Sequence, residues 1–265
     1  MLLWLRLRKA LYCILRPRLW RALAAGVAPS IEHRRALGGR RFRTIIDVGA
    51  NRGQFALFAR LHNPYARIYA FEPLKAPSSL FRTVFARDRN TTLMQTAIGA
   101  MPMQSEIYVA AADDSSSLLR PTVFRDDMFA TNGHAVEAVS IRRLDSCIDT
   151  DQLVRPLLLK IDVEGYERQV LGGSESILAL ADALYVECSY VELSQGQALA
   201  SEIIEFASQK GFRLAGVFNQ VTMKDVGPVQ GDFFFLRYDE KIGDAKNCEN
   251  GRKLPSRHHS ATHLN

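Results

Sequence analysis

In the stretch Leu157-Leu158-Leu159-Lys160-Ile161-Asp162-Val163-Glu164-Gly165-Tyr166-Glu167, an apolar run ends in a Lys-x-Asp-x-Glu series. Charge placed against a buried strand is costly unless it is paired or sits at the strand end near a ligand. Period-two geometry puts Lys160 and Asp162 on the same side of such a strand. A carboxylate held there can take a proton or anchor a hydroxyl, so Asp162 and Glu164 are candidate general bases or anchors, with Lys160 setting their charge state. Glu187, near the end of the next apolar run, is a second candidate for the same work. Two carboxylates with no third ligand in view are weak grounds for a divalent metal, and none is assigned.

A second group of residues is suited to holding a nucleotide-like ligand. Thr44-Ile45-Ile46-Asp47-Val48 is a β-branched apolar run ending in an acid, and Gly49-Ala50-Asn51-Arg52-Gly53 follows as a tight turn into a helical pattern. Glycine tolerates positive φ and leaves the backbone open to a ligand, while the next helix presents free N–H groups. Asp47, Gly49, Ala50, Asn51 and Gly53 are therefore candidate ligand contacts. Arg67-Ile68-Tyr69-Ala70-Phe71-Glu72 is another strand ending in an acid. Its distance past the turn is that of the carboxylate that accepts from ribose hydroxyls in dinucleotide folds.

These tips must be brought together by the elements between them. Predicted strands at 44–48, 67–71, 91–98, 106–110, 157–161, 183–188, 212–218 and 232–238 alternate with helical stretches, including 74–88, 169–181 and 198–210. Alternation at this spacing implies an α/β fold, a mainly parallel sheet with helices on both faces and ligands at the carboxyl ends of the strands. Asp113-Asp114-Ser115-Ser116-Ser117 reads as a polar loop whose serines satisfy turns. Residues 124–133 carry the weakest pattern of the domain, as a substrate-covering insertion would.

The chain of 265 residues suits one sizeable core. Its charge is unevenly distributed: residues 1–43 carry eleven basic residues against the single acid Glu32, and the rest carry 23 basic against 27 acidic. The basic excess thus belongs to an arm, which argues against a nucleic-acid-binding face on the main domain. Within the arm, Leu3, Trp4, Leu7, Leu11, Ile14 and Leu15 recur at helical spacing opposite Arg6, Lys9 and Arg16. Residues 1–21 suit peripheral contact with an anionic membrane, and the same face suits packing on the domain or a partner. Four separated cysteines point to a reducing compartment, and a cytoplasmic location is expected. The expected divisions are a helical arm over 1–43, a catalytic domain over 44–239 and a polar tail over 240–265.

Ile-Ile-Asp-Val-Gly-Ala-Asn-Arg-Gly, the Phe71-Glu72-Pro73 strand end, Ala97-Ile98-Gly99 and Lys-Ile-Asp-Val-Glu-Gly-Tyr-Glu, in this order, resemble the FkbM family of S-adenosylmethionine-dependent methyltransferases. The resemblance covers residues 44–238. It implies the class I methyltransferase fold, a Rossmann-like sheet of seven strands whose final strand runs antiparallel. It also implies that Asp47, Gly49 and Gly53 line the methionine part of S-adenosyl-L-methionine, that Glu72 holds the ribose and that Ala97 flanks the adenine. The family's usual reaction is O-methylation of a sugar, a glycan precursor or a secondary metabolite, so a small-molecule or glycan acceptor is expected. A dinucleotide-dependent oxidoreductase shares the first strand and turn but requires G-x-G-x-x-G, where this chain has only Gly49 and Gly53. A base methyltransferase requires prolines and an aromatic residue where the chain reads Asp162-Val163-Glu164-Gly165. A catalytically silent, membrane-associated scaffold of the same fold is the remaining alternative, and the intact acids speak against it.

Overall fold

A computed structural model describes residue 16 and residues 19–110, 115–129 and 135–238 of the chain. The amphipathic pattern over 1–15 and the polar tail over 240–265 lie outside the described residues.

The described chain begins with α1 (Trp20–Ala24), a 3₁₀ turn at Ile31–His33 and α2 (Arg34–Leu37). It then alternates through β1 (Thr44–Val48), α3 (Gln54–His62), β2 (Arg67–Phe71), α4 (Lys75–Phe85) and β3 (Thr91–Met94). An inserted stretch holds β4 (Ala97–Ile98), β5 (Met103–Val109), α5 (Val123–Phe129) and β6 (Ala135–Arg142). The main pattern resumes with β7 (Leu157–Ile161), α6 (Glu167–Gly172), α7 (Glu175–Leu180), β8 (Ala183–Ser189), α8 (Ala200–Gln209), β9 (Phe212–Met223) and β10 (Gly227–Arg237).

Seven strands form one sheet in the order β3-β2-β1-β7-β8-β10-β9, with β10 antiparallel to both of its neighbours and the pairs from β3 to β8 parallel. This is the seven-stranded, mostly parallel α/β arrangement expected from the sequence. Its centre is buried on both faces because β1, β7 and β8 are almost wholly apolar. Ile45, Leu158, Tyr185 and Phe234 enter one core with Phe55 and Phe58 of α3, and Ile46, Leu159, Leu184 and Phe235 enter the other with Val170, Leu171, Ile177 and Ile203. Each such side chain contributes roughly 1.5–3 kcal/mol on burial.

Three sequence expectations are corrected. Leu19, Ala22, Val27, Leu37 and Phe42 are buried in the first core, so the boundary drawn at residue 43 cuts through a single packed unit. The strand expected over 91–98 divides after Met94: β3 stays on the main sheet, while β4 joins β6 and β5 in a separate three-stranded sheet. Thr96 makes the break, its hydroxyl donating to Ser140 O at 2.8 Å. The helix expected over 169–181 is likewise two. Gly173 lies so close to the Gly99 carbonyl that a Cβ there would sit 2.0 Å from it, and Asp145 accepts from the N–H groups of Glu175 and Ser176 at 3.0 Å to start α7 afresh.

Candidate functional site

Parallel pairing aligns Asp47 of β1 with Lys160 of β7, and Lys160 with Tyr185 of β8. In-register neighbours share a face, so the Lys160 ammonium lies 3.0 Å from Asp47 Oδ1, and it also donates to the Gly49 carbonyl at 3.0 Å. Asp162 is 3.4 Å away on the other side. Burial works against the charge on Lys160, but Asp47 and Asp162 outweigh it and hold the ammonium above its ordinary value. Burial also pushes the Asp47 carboxyl up, with Lys160 the main opposing influence. The pair is ionic, and it fixes the turn after β1 to the tip of β7.

A cavity of about 460 Å³ opens beside that pair, within the span of roughly 300–1,000 Å³ common for small-molecule sites. Gly49, Ala50, Asn51, Glu72 and Ala97 line it, as do Lys160, Asp162, Glu164 and Glu187. The predicted tips of β1, β2, β7 and β8 therefore converge on one opening. Asp47 and Gly53 do not reach the lining. Asp47 is wholly buried behind Lys160, and a Cβ on Gly53 would meet the Phe85 and Phe81 rings at 2.7 and 3.0 Å. Gly53 thus answers to the packing of α4, and Asp47 acts on the cavity through Lys160. Gly49 has φ +80°, and a Cβ there would stand 1.8 Å from Asp162 O. Close approach of two strand tips requires that glycine.

Glu72 is pinned by its surroundings. Its Oε2 accepts from Asn51 N and its Oε1 from Leu74 N, both at 2.9 Å. Burial pushes the carboxyl up to about 7 against those two hydrogen bonds. Each oxygen keeps a lone pair, and beside it Phe71, Leu74, Ala97, Ile98 and Leu118 form an apolar flank of the cavity. An acid that accepts from a diol beside an apolar slot suits a nucleoside.

The opposite side is acidic. Among the described residues, Asp162, Glu164 and Glu187 each offer an oxygen within 4.8 Å of the others, which brings the second candidate from the sequence beside the first two carboxylates. Burial, then the charges of Asp162, Glu164, Asp232 and Glu167, pushes Glu187 well above the usual carboxylate range, and Gln230 Nε2 donates to it at 3.1 Å. Glu164 has φ +59° and is paired at 2.9 Å with Arg125 of α5, inside the weakly patterned insertion. The Glu164 carbonyl accepts from Ser117 and Ser194. The polar loop does more than satisfy its own turn, since Ser115 and Ser116 line the cavity.

Several lining residues escaped the sequence reading: Ser30, Glu32 and His33 from the basic segment, and Asn219, Gln230 and Asp232 from the β9–β10 hairpin. No local motif marks them. The one usable signal is that Asp232 directly precedes the aromatic run 233–235; within β10 it pairs with Glu187.

The sheet order, with its antiparallel final hairpin and a polar cavity over the carboxyl ends of the central strands, defines a class I S-adenosylmethionine-dependent methyltransferase fold. Residues 47–214 match the Methyltransferase FkbM domain, and the chain belongs to that family. It is 27% identical to 31-O-demethyl-FK506 methyltransferase FkbM of Streptomyces tacrolimicus over 63% of this chain and 72% of that one. It is 31% identical to Methyltransferase 1 of Beauveria bassiana over 64% of this chain and 72% of that one. Among solved structures, it is similar to 1,6-didemethyltoxoflavin-N1-methyltransferase of Burkholderia thailandensis (TM-score 0.42, 13% identity, 85% and 81% of the two chains). Magnesium protoporphyrin IX methyltransferase of Synechocystis PCC 6803 is another such structure (TM-score 0.40, 12% identity, 76% and 73%). The chain is a methyltransferase with S-adenosylmethionine as methyl donor, and the oxidoreductase and scaffold alternatives are not favoured.

Proposed function

We propose that the protein methylates a hydroxyl group of a small molecule or glycan precursor held in the acidic half of the cavity. The observation that carries this reading is the division of one cavity into a nucleoside-suited flank at Glu72 and an acidic flank at Asp162, Glu164 and Glu187. Carboxylates accept hydrogen bonds from hydroxyl groups, and a row of them orients a polyhydroxylated acceptor. The Streptomyces relative, named for a 31-O-demethyl substrate, supports an oxygen acceptor.

On this reading Glu72 accepts from the ribose hydroxyls and Ala97 lies beside the adenine. The backbone of Gly49, Ala50 and Asn51 borders the methionine part. S-adenosylmethionine supplies an electrophilic methyl group on a sulfonium. What the chain adds is placement, because holding a nucleophile in line with its target removes much of the barrier. Asp162, beside Lys160, anchors an acceptor hydroxyl, and Glu164 braces the wall through Arg125.

The test is transfer of a ¹³C-labelled methyl from S-adenosylmethionine to a fractionated small-molecule extract, with the product read by ¹H–¹³C correlation. A methoxyl signal is the expected result. Label found on nitrogen or carbon would overturn the assignment to oxygen.

A further inference from the structure

We propose that His33 takes the proton from the acceptor hydroxyl and that Asp232 is the residue that positions it, an assignment that rests on the O-methyl-transfer reading above. Both line the cavity. His33 ends the 3₁₀ turn at Ile31–His33, and edge contacts with Phe55, Phe58 and Tyr185, at centroid distances of 5.3, 5.9 and 5.4 Å, fix its ring.

The hydrogen-bond network selects the tautomer. His33 Nδ1 lies 3.3 Å from Asp232 Oδ2 and 3.0 Å from the Tyr185 hydroxyl. The single Tyr185 proton goes to Asp232 Oδ2 at 2.8 Å, and Asn219 Nδ2 donates to the same oxygen at 2.7 Å. The second amide proton of Asn219 reaches only long contacts, 3.4 Å to the Tyr185 hydroxyl and 3.5 Å to Nδ1. Nδ1 therefore carries the ring proton and donates it to the Asp232–Tyr185 pair, which leaves the lone pair of the neutral ring on Nε2. Among the described residues, the hydrogen bonds of the His33 ring are made through Nδ1.

The other candidate proton acceptors are already engaged. Glu164 is paired with Arg125, Asp162 faces Lys160, and Glu187 accepts from Gln230 Nε2. Burial works against the charge on Asp232, but the hydrogen bonds from His33, Asn219 and Tyr185 hold its carboxyl below the usual carboxylate range. It thus stabilises the imidazolium that forms, as a base and its orienting acid do elsewhere. Asp47 also feels the ring, and its charge is opposed by Lys160. In the step itself, the hydroxyl proton passes to Nε2 while an oxygen lone pair forms the new C–O bond to the methyl carbon. The electron pair of the broken C–S bond stays on sulfur.

The experiment uses the full chain with ¹⁵N-labelled histidine, as wild type, His33→Gln and Asp232→Asn. His33→Gln assigns the His33 signal. The neutral ring of the wild type is expected as the Nδ1–H form, with the Asp232→Asn variant shifted toward Nε2–H; a wild-type ring protonated on Nε2 overturns the proposal. Transfer to a panel of methyl glycosides is then followed alongside calorimetric binding of S-adenosylmethionine. His33→Gln should lower kcat about 10²–10⁴-fold with the Kd of S-adenosylmethionine unchanged within about twofold. A variant keeping kcat within about threefold overturns the proposal. Failure of the wild type to bind S-adenosylmethionine would instead end the methyltransferase reading, and this is seen before any variant is made. Where the wild type binds S-adenosylmethionine and methylates none of the panel, the ring tautomer decides.

Discussion

Lys160 Nζ stands 3.0 Å from Asp47 Oδ1 and 3.0 Å from the Gly49 carbonyl, so one ammonium ties the acid of β1, the turn after it and the tip of β7 into a single unit. Removing one partner of a buried pair leaves the other charged and unpaired, typically at about 3–5 kcal/mol. Lys160→Met should lose stability of that order in denaturant unfolding. The double variant with Asp47→Asn should recover part of the loss, because it removes the orphaned charge. Equal losses in the single and double variants would show that the pair is not what holds the turn.

Gly49→Ala tests the same junction sterically. With φ at +80° and Asp162 O standing 1.8 Å from a Cβ, the substitution both strains the backbone and parts the two tips, at a combined cost of about 3 kcal/mol. Gly39→Ala is the matched control, since nothing lies within 4 Å of a Cβ there. Unfolding midpoints should separate the two variants clearly, with the control close to wild type. Binding of S-adenosylmethionine should be lost only at Gly49.

Glu72 should make cofactor affinity depend on pH. Its carboxyl, pushed up to about 7 by burial, is half protonated near neutrality in the free protein, whereas accepting from ribose hydroxyls favours the ionised form. Affinity therefore rises with pH through about 7, and Kd should be roughly tenfold weaker at pH 6 than at pH 8. Glu72→Gln removes the titration, so its calorimetric Kd should be weak and flat over that interval. A wild-type Kd that does not change with pH would dissociate Glu72 from the ribose.

The basic segment offers a test by truncation. Leu19, Val27, Leu37 and Phe42 are buried in the first core, and at roughly 1.5–3 kcal/mol each they rival the 5–15 kcal/mol that holds a typical domain together. A chain starting at residue 19 should unfold cooperatively, and one starting at residue 44 should not fold. Cooperative unfolding of the shorter chain would restore the boundary at residue 43.

What was legible in the sequence follows from what is local. Asp47, Glu72 and Asp162 each close an apolar run, so period and burial cost alone marked them, and parallel pairing then brought them to one end of the sheet. His33 and Asp232 carry no such mark. One sits among arginines, the other begins a run of phenylalanines, and they meet only because the 3₁₀ turn at Ile31–His33 and α2 pack against β9 of the final hairpin. Thr96 and Gly173 are similar cases. The contacts that divide strand from strand and helix from helix there are made with Ser140 and Gly99, far along the chain or across a sheet. Gly53 shows the converse, where a glycine legible as a ligand contact answers to two phenylalanine rings.

Arg125 links the insertion to the site and can be tested without the acceptor. It donates to Glu164 Oε2 at 2.9 Å, to Ser115 O at 2.6 Å and to Ser194 Oγ at 2.8 Å, and Thr122 N ties the same segment to Leu193 O at 2.9 Å. Removing the guanidinium takes away the ion pair that holds Glu164 beside Asp162 and Glu187, a loss on the order of 3 kcal/mol. The wall built on residues 115–119 should then open locally while the sheet persists. Arg125→Gln should speed amide exchange across Ser115–Leu119 and leave it unchanged in β1 and β7. Arg125→Lys should restore it only in part, because a single ammonium cannot span three acceptors as the planar fork does. Cofactor affinity, governed at Glu72 on the other flank, should stay within about threefold of wild type, a range of roughly 0.7 kcal/mol. Unchanged exchange over residues 115–119 in the glutamine variant would show that the insertion is held by its own contacts and that Arg125 serves Glu164 alone.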